Sequence, residues 1–499
     1  MAPARLQFDM TLQPAGARRT PRADDAPLRL LLLADLGGDR SVPLAARKPL
    51  ALDIDSFDGV LARVAPRLSL DLAGQRLDLA FQALEDFHPD ALFARLPVFG
   101  ALRQLRQEAQ DPSQFRRVAA AMGVAPAAPA ATAAPADTAS AASDIERLLG
   151  KAPSATPAAA APAAAPTTAA ALDRWLRDLV APHTQADTAH EQRALVQAID
   201  TALASLMRDV LHDRAFQSLE AAWLGADRLV RGLELGESLH LFVLDVSRDE
   251  VLHDLDTHRA DLSSSALHRH FSPAAGADGQ RWGLLVLDQA FGPLADEVQA
   301  LAALGALAAR AGAPLLANAQ PAMAGAGSSA QLAEPRDWAA EDDESLAYWQ
   351  ALRAAPMAPW LGLVLPRVLM RLPYGTATDP ISAFAFDEMP ATRPHEAYLW
   401  GGGAPALALL AGRAFLHNGW PLSLSEALDL DDLPSHIYTD DGERHQQPGA
   451  ERLLPEEAGQ ALLARGLMPL LSWRNRNAAR LLRWQSVASP AQALAGLGG

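Results

Sequence analysis

Histidines and acidic runs are the residues of this sequence that could bind a metal ion. His268 and His270 form an HxH pair, and His253 and His258 lie upstream. On a β-strand this spacing places both imidazoles on one face, as a zinc site requires. The acidic run EDDE at 341–344 could also bind a cation, although such runs are usually solvated faces before a helix. A metal-dependent enzyme is therefore one hypothesis, and a solvated surface segment is its alternative.

Two glycine-rich strings could approach a phosphate or another anion. Gly325–Ala330 reads GAGSSA, which fits the loose GxGxxA form of a dinucleotide loop, but Pro321 separates it from the preceding strand. Gly401–Gly403 favours a tight turn into the helix that follows. The sequence contains no GxxxxGK[ST], GxSxG or HExxH motif. The sequence does not bring a nucleophile, a base and an orienting residue together. We therefore expect that the protein is not an enzyme and has no catalytic residue, cofactor or metal ion.

Composition and charge narrow the class of protein further. The 499 residues carry 43 Lys+Arg against 59 Asp+Glu, a net charge of −16, which disfavours nucleic acid as a partner. The absence of cysteine excludes disulfides, thiolate metal sites and cysteine nucleophiles. No signal-like apolar segment opens the chain, and no run of about 20 apolar residues suits a membrane span. We therefore predict a cytoplasmic protein without membrane insertion.

A low-complexity segment rich in Ala and Pro divides the chain. Its repeated prolines remove backbone donors and favour extended conformations, and it has too few large apolar residues to fold. An island within it, DIERLLGK, is amphipathic through Ile145, Leu148 and Leu149. We predict three regions: a domain at 1–118, a disordered linker at 119–171 with a short helix at 144–151, and a domain at 172–499.

The first domain has the pattern of an α+β unit. Leu28–Ala34, apolar apart from Arg29, predicts a buried strand. A helix should follow with Asp53 or Asp55 as its N-cap. Further along the chain we predict a hairpin turning at 73–75, a helix with Pro89 at its first position, and one helix running through Leu102 and Phe115.

The second domain opens with two long amphipathic helices. Strand-like runs follow at Ser238–Val246, Arg281–Asp288 and Ala313–Ala319, with a helical stretch between the last two. This order predicts a crossover unit and a partly parallel sheet. Pro366 argues against an uninterrupted strand in LGLVLPRVLMRLPYG. The predicted fold class is mixed α+β and α/β.

Ordered strings in both domains resemble the contractile sheath of type VI secretion systems. The first domain is similar to the small sheath subunit through LLLLADLGGD, DIDSFDGVLARVAPRLSLDL and LDLAFQALEDFHPDALFARLPVFGALRQLR. The second is similar to the large subunit through RDVLHDRAFQSLEAAWLGADRLV, WGLLVLDQAFG, LGLVLPRVLMRLPYG, AFAFDEMP, EAYLWGGGAPALALLAGRAFLHNGWP and LMPLLSWRNRNAARLLRWQS.

This resemblance implies a structural role. The two subunits of the family pack together as one protomer, protomers stack in helical rings around an inner tube, and shortening of the sheath drives the tube outward. The implied partners are other sheath subunits or copies of this chain, the inner tube protein, baseplate components and an AAA+ disassembly unfoldase. The helix at 144–151 is a candidate for recognition by that unfoldase, and a transient helix without a partner is the alternative.

The resemblance also assigns a set of motif or interface residues. We expect Phe57, Phe87, Trp223 and Tyr398 in the core, and Arg367, Arg371 and Glu220 as buried charges paired between the two domains. The full set is Phe57, Asp58, Phe87, Pro89, Asp90, Phe216, Leu219, Glu220, Trp223, Gly225, Arg367, Arg371, Pro373, Tyr374, Gly375, Tyr398, Leu399, Trp400 and Gly401.

The sequence departs from the family pattern in two ways. Both subunits are fused through the Ala/Pro-rich linker, which fixes a one-to-one ratio and raises their local concentration. The large-subunit part also ends before the family's C-terminal region, in which neighbouring protomers exchange strands. Two hypotheses remain open: a fused sheath protomer, or a sheath-derived accessory (a cap, baseplate adaptor or assembly regulator) that does not polymerise.

Overall fold

The computed structural model describes residues 25–72, 74–111, 114–122, 191–272, 281–340, 343–420 and 422–497. They form two compact units. The described residues of Met1–Leu92 and Met207–Gly499 make the first unit, and those of Phe93–Leu206 make the second. The predicted linker beyond residue 122, with the island that carries Ile145, Leu148 and Leu149, lies outside the described residues.

Fifteen strands and twelve α-helices are numbered here along the described chain. The strands are β1 Leu28–Ala34, β2 Leu50–Leu52, β3 Arg67–Leu72, β4 Gln75–Ala80, β5 Leu239–Asp245, β6 Leu284–Phe291, β7 Leu315–Ala319, β8 Leu361–Leu365, β9 Val368–Leu369, β10 Trp400–Gly401, β11 Asp429–Leu430, β12 His436–Asp440, β13 Glu443–Gln447, β14 Met468–Ser472 and β15 Ala479–Leu481. The helices are α1 Phe57–Val64, α2 Pro89–Arg95, α3 Pro97–Gln110, α4 Phe115–Ala121, α5 Glu191–Leu211, α6 Arg214–Gly232, α7 Arg248–Thr257, α8 Ala266–Phe271, α9 Ala295–Ala311, α10 Ala347–Arg353, α11 Gly403–Asn418 and α12 Glu456–Ala464.

A nine-stranded sheet is the frame of the first unit. Its strands lie in the order β2-β5-β1-β6-β7-β8-β14-β15-β11. The six strands from β5 to β14 run parallel, whereas β2, β15 and β11 pair antiparallel with their neighbours. Helices cover both faces: α11 packs against β1, β6, β7 and β8, and α9 packs against β6, β7 and β8 from the other side. The predicted crossover and the partly parallel sheet are confirmed.

Strand β1 occupies an interior position of this sheet. It pairs in parallel with β5 from Leu28↔Leu239 to Ala34↔Asp245, and with β6 from Leu30↔Leu284 to Leu33↔Leu287. A parallel strand covered on both faces needs apolar residues at every position, which explains the run LRLLLLA in place of an alternating pattern. Its one charged residue, Arg29, places its guanidinium 4.7 Å from the centre of the Phe242 ring, a cation–π contact.

The elements around β1 agree in part with the sequence predictions. The β3–β4 hairpin and the α2 helix that begins at Pro89 are confirmed. The predicted N-cap position is wrong: α1 begins at Phe57 with Ser56 at the N-cap. The Asp53 carboxylate instead caps the turn before the helix, where it accepts hydrogen bonds from the Asp55 and Ser56 amides.

The second unit contains α3, α4 and most of α5. A single helix through Leu102 and Phe115 is not formed, since α3 ends at Gln110 and Phe115 begins α4. Within this unit Arg106 forms an ion pair with Asp200 at 2.5 Å. Among the described helices, none combines the length and apolar character needed to cross a bilayer.

Candidate functional site: the seam between the two segments

The first unit is built from two distant stretches of chain that share one sheet. We refer to residues 25–92 as the N-terminal segment, to residues 207–497 as the C-terminal segment, and to their mutual contact as the seam. Beyond the ladders of β1, Leu36 donates its backbone N–H to the carboxylate of Asp245 at 2.8 Å. The indole of Trp223, completely buried, donates to the Leu36 carbonyl at 3.2 Å. The polar groups just after β1 are thus satisfied by the C-terminal segment.

Two glycines after β1 allow this close approach. Gly37 has a φ of +73°, which favours glycine, and a Cβ there would lie 2.9 Å from a methyl carbon of Leu219. A Cβ on Gly38 would lie 2.5 Å from the Asp245 carboxylate. The GG pair of LLLLADLGGD is therefore required by contact across the seam, and Leu219 is one of the predicted motif residues.

Arginines from the N-terminal segment neutralise carboxylates at the ends of β1 and β5. Arg40 bridges Asp35 and Asp245, with a 2.9 Å contact to the latter. Arg47 pairs with Glu250 and also donates to the Asp245 carbonyl at 2.9 Å. Burial alone would raise the pKa of Glu250, but the hydrogen bonds from Arg47 and the Ser247 amide outweigh it and lower that pKa. The ion pairs and hydrogen bonds therefore fix the arrangement of side chains at this end of the seam, and they favour the ionised form of Glu250.

Aromatic rings fill the seam beneath α6. Phe57 meets Trp223 edge to face, with centroids 5.9 Å apart. Phe81 and Phe87 stack at 4.0 Å, and both rings contact Phe216. All five rings are buried, which confirms the core positions predicted for Phe57, Phe87 and Trp223. Such ring pairs contribute about 0.5–1.5 kcal/mol each beyond their buried area.

A carboxylate clamp closes the other end of the seam. Asp90, which follows Pro89 at the start of α2, accepts hydrogen bonds from the Ser382 amide at 3.0 Å, the Ser382 hydroxyl at 2.9 Å and the Ala383 amide at 2.9 Å. Burial alone would raise the pKa of Asp90, but these bonds outweigh it and lower that pKa. An ionised Asp90 thereby fixes a loop that lies 292 residues away in sequence.

A buried ionic cluster lies next to the seam, in the C-terminal segment. Arg371 pairs with Glu220 at 2.6 Å and with Glu388 at 2.7 Å, and its guanidinium lies 4.1 Å from the centre of the Tyr374 ring. Burial would lower the pKa of Arg371, but the two carboxylates outweigh it and raise it well above its ordinary value. His88 of the N-terminal segment meets the Tyr374 ring edge to face at 4.9 Å, which joins the cluster to the seam.

The expected pairing of these charges is confirmed, but its predicted location is wrong. Glu220 and Arg371 both belong to the C-terminal segment, so their ion pair lies within one domain and not between two. The reason is that α6 packs against β10, which pairs with β9, so the chain after β9 lies beside α6 within the C-terminal segment. Glu388 was not among the predicted residues, because its neighbours in AFAFDEMP do not reveal its buried arginine partner.

A second ionic group surrounds Arg367. This arginine pairs with Glu451 at 2.7 Å and with Glu396 at 2.9 Å, and His395 contacts Glu451 at 2.9 Å. Burial alone would raise the pKa of Glu451, but hydrogen bonds from His395 and Arg367 outweigh it and lower it to about 2. In the described part of the chain, His395, Glu396 and Glu451 are also the one group with ligand atoms close enough for a metal ion. The guanidinium already neutralises both carboxylates, so this group is a salt-bridge site.

The histidines considered as metal ligands are placed differently from the prediction. His268 and His270 lie on the short helix α8 and not on a strand, so their side chains point in different directions. His270 is bonded to the Leu44 carbonyl at 2.9 Å across the seam, and His268 accepts a hydrogen bond from Arg310. His258 bonds to the Asp254 carbonyl. These contacts assign the histidines structural partners.

The remaining motif residues lie in or beside the packed core, with the exception of Asp58. Tyr398 is buried as predicted, and its hydroxyl is 2.9 Å from a ring nitrogen of His436. Leu399 accepts a backbone hydrogen bond from Met370. Three glycines lie close to other side chains: Gly225 faces Met370 and Pro405, Gly375 abuts Asp387, and Gly401 abuts Met370. The Pro373 carbonyl accepts a hydrogen bond from the Thr378 hydroxyl, and the Trp400 indole donates one to the His395 carbonyl. Asp58 is exposed in the first turn of α1.

Fold and seam together define a structural protomer made of two subunit-like parts. A family model described as "EvpB/VC_A0108, tail sheath N-terminal domain" matches residues 193–488, more than half of the chain, and the chain belongs to this family. A second model, described as "Type VI secretion system, VipA, VC_A0107 or Hcp2", matches residues 2–114. The predicted fusion of small and large sheath subunits in one polypeptide is thus confirmed.

Two curated relatives from Pseudomonas aeruginosa PAO1 agree with this assignment. The type VI secretion system sheath protein TssC1 is 30% identical over 314 residues, which are 61% of this chain and 63% of that protein. The sheath protein TssB1 is 29% identical over 114 residues, which are 21% of this chain and 64% of that protein. This chain spans less than two thirds of the length of each relative.

Replacement of Arg371 tests the buried cluster. Arg371→Met leaves the Glu220 and Glu388 carboxylates buried without their cation, which should lower the free energy of unfolding by roughly 3–5 kcal/mol. The triple variant Arg371→Met, Glu220→Gln, Glu388→Gln should recover most of that loss, because it buries no unpaired charge. Urea denaturation measures both. Arg336→Met, at an exposed arginine, is the control. An Arg371→Met loss no larger than that of the control would show that Arg371 does not compensate the two buried carboxylates.

Acid titration tests the Glu451 site. A carboxylate whose pKa is lowered on folding stabilises the protein above its unfolded pKa of about 4.3 and loses that contribution as the pH falls towards about 2. The free energy of unfolding should therefore decrease across this window, and Glu451→Gln should reduce the slope. The exposed Glu457→Gln variant should keep the native slope. An unchanged slope in Glu451→Gln would show that Glu451 is not held ionised by its neighbours.

Proposed function

We propose that this chain is a structural subunit of a type VI secretion contractile sheath, in which small and large subunits act as one covalent building block. The observation that carries the proposal is β1, a small-subunit strand placed between two large-subunit strands. Family matches to both sheath subunits on either side of the linker support it. The relatives are named as sheath proteins, and we propose no catalysis for this one.

The seam suits a building block that transmits force. A load applied to the N-terminal segment reaches the C-terminal segment through two parallel hydrogen-bond ladders, the Arg40 and Arg47 ion pairs, and the Asp90 clamp. These contacts are distributed over both ends of the shared surface, so the segments should move as one body. Contraction would then occur by rigid-body shifts between protomers, leaving the protomer interior unchanged.

The sheath role implies particular partners and a particular location. We expect the assembled sheath to surround an inner tube protein, to start on baseplate components and to be taken apart by an AAA+ unfoldase, in the bacterial cytoplasm. Their support is the membership of both matched segments in sheath families. The amphipathic island at 144–151 stays the candidate for unfoldase recognition. Fusion would keep the two subunits at a one-to-one ratio in every ring.

Electron microscopy of the purified full chain, alone and with the inner tube protein of the same organism, tests the proposal. We expect long cylinders with a regular helical repeat that carry a gold label directed to this chain. The tube protein alone, treated with the same label, is the control. Discrete particles under both conditions would contradict a sheath role and would support the accessory hypothesis.

A further inference from the structure

An acidic surface with an apolar centre lies at the edge strand β2. Ile54, directly after β2, is 61% exposed, among the most exposed large apolar side chains of the described residues. Three carboxylates flank it, and the loop after α6 adds two more. We call this surface the acidic patch, and its members are Asp53, Ile54, Asp55, Asp58, Glu234 and Glu237. Among the described residues none of its five carboxylates forms an ion pair, so its charge is uncompensated.

A shallow cavity opens beside Ile54. Its volume is about 270 Å³, and its walls include Leu52, Ile54, Leu235, Leu239 and Phe242. These residues come from β2, the loop after α6 and the beginning of β5, so the cavity lies along the free edge of the sheet. The walls also include Asp53, Asp55 and His240, so the recess is of mixed polarity. The acidic patch therefore offers an exposed apolar side chain, Ile54, beside a small recess and among carboxylates, which suits an amphipathic side chain such as tryptophan flanked by cations.

A basic surface with an apolar centre lies at the turn between β14 and β15. Trp473 at this turn is 43% exposed, and Arg474 and Arg476 beside it are exposed. Asn475 donates its backbone N–H to the Gln446 side chain at 2.8 Å, which holds the β12–β13 hairpin against the turn.

Cross-strand pairing places two more hairpin residues on that face. Ile437 lies directly opposite Gln446, and Arg444 lies opposite Thr439, two positions along the same ladder, so all four share one face of the hairpin. Ile437 is 41% exposed. We call the resulting surface the basic patch, and its members are Ile437, Arg444, Trp473, Arg474 and Arg476. Within the described chain its three arginines form no ion pair.

The two patches lie far apart on the same sheet, at opposite ends of its parallel strands. Six inter-strand spacings separate β2 from β14, which is roughly 29 Å at about 4.8 Å per spacing. The acidic patch lies where the parallel strands begin, because β2 is antiparallel to β5, and the basic patch lies where they end, because β14 is parallel to β8. One molecule cannot bring its own patches together, whereas a second copy can.

We propose that the basic patch of one copy docks on the acidic patch of the next, with Trp473 packed over Ile54 and the recess beside it. The partner is thus a second copy of this chain, and the proposal rests on the sheath role proposed above. The contact is head to tail, so each copy can engage two others and the assembly can extend as a ring or as an open chain of protomers. The aromatic anchor supplies most of the affinity, while the charges orient the approach and make it sensitive to salt.

Cysteine cross-linking tests the contact directly, since the chain contains no native cysteine. Gly59→Cys places a thiol on α1 beside the acidic patch, where a Cβ meets no atom within 4 Å, and Thr439→Cys places one on the exposed face of the basic patch. With a short bismaleimide, a mixture of the two variants should form dimers at least about tenfold faster than either alone, because docking raises the effective concentration of the thiols. Equal rates would overturn the proposal.

Variants with reversed charges, together with an apolar control variant, distinguish cross-linking through docking from cross-linking through chance collision. Arg474→Glu with Arg476→Glu in the Thr439→Cys chain should reduce cross-linking to the single-variant rate. Asp55→Arg with Glu237→Arg in the Gly59→Cys chain should restore it. Trp473→Ser should also reduce it, whereas Leu294→Ser, at a 65% exposed residue outside both patches, should not. Failure of the charge exchange to restore cross-linking would count against the contact.

The same experiment distinguishes this contact from the sheath role itself. A chain with both cysteines should give a ladder of oligomers, because each copy offers both patches. A ladder without cylinders in the microscope would support the contact and contradict the sheath role. Cylinders with no cross-link above the single-variant rate would support the sheath role and overturn the contact.

Discussion

Strand β1 forms backbone hydrogen bonds to β5 on one side and to β6 on the other, so the sheet of the C-terminal segment is interrupted wherever β1 is missing. The gap would span two inter-strand spacings, or roughly 10 Å, and would leave the facing amides and carbonyls of both strands without partners. Because α11 packs directly on β1 as well as on β6, β7 and β8, its apolar face depends on the same strand. The two segments are therefore parts of one core.

The polar contacts of the seam specify its geometry, whereas the apolar contacts supply buried area. The leucines of β1 supply burial that many registers could satisfy, whereas Trp223 on the Leu36 carbonyl, Arg47 on Glu250 and Asp90 on the 382–383 loop each fit one arrangement only. Their placement at both ends of β1 and at α2 fixes the register and the orientation of the N-terminal segment. A protomer that must keep its shape under load requires this specificity more than it requires additional burial.

Local features of the sequence predicted local structure well, and distant partners could not be predicted from it. The run Leu28–Ala34 indicates a buried strand, and Pro89 indicates a helix start, because each depends on neighbouring residues alone. The same run does not reveal that β1 lies between β5 and β6, more than 200 residues away, nor that Asp90 binds Ser382. The HxH pair could form a metal site only on a strand, and its spacing alone does not reveal that it lies on the helix α8. Family resemblance supplied the long-range organisation that periodicity lacks.

Cleavage between the halves tests the central claim most directly. A protease site placed between residues 152 and 171 allows the full chain to be cut after folding, and gel filtration without denaturant then reports whether the halves stay together. If β1 is an integral strand of the shared sheet, the two fragments should elute as one complex, and the amides of Leu30–Leu33 should keep the slow hydrogen exchange of the uncut protein. Separation of the fragments, with rapid exchange at those amides, would contradict the account.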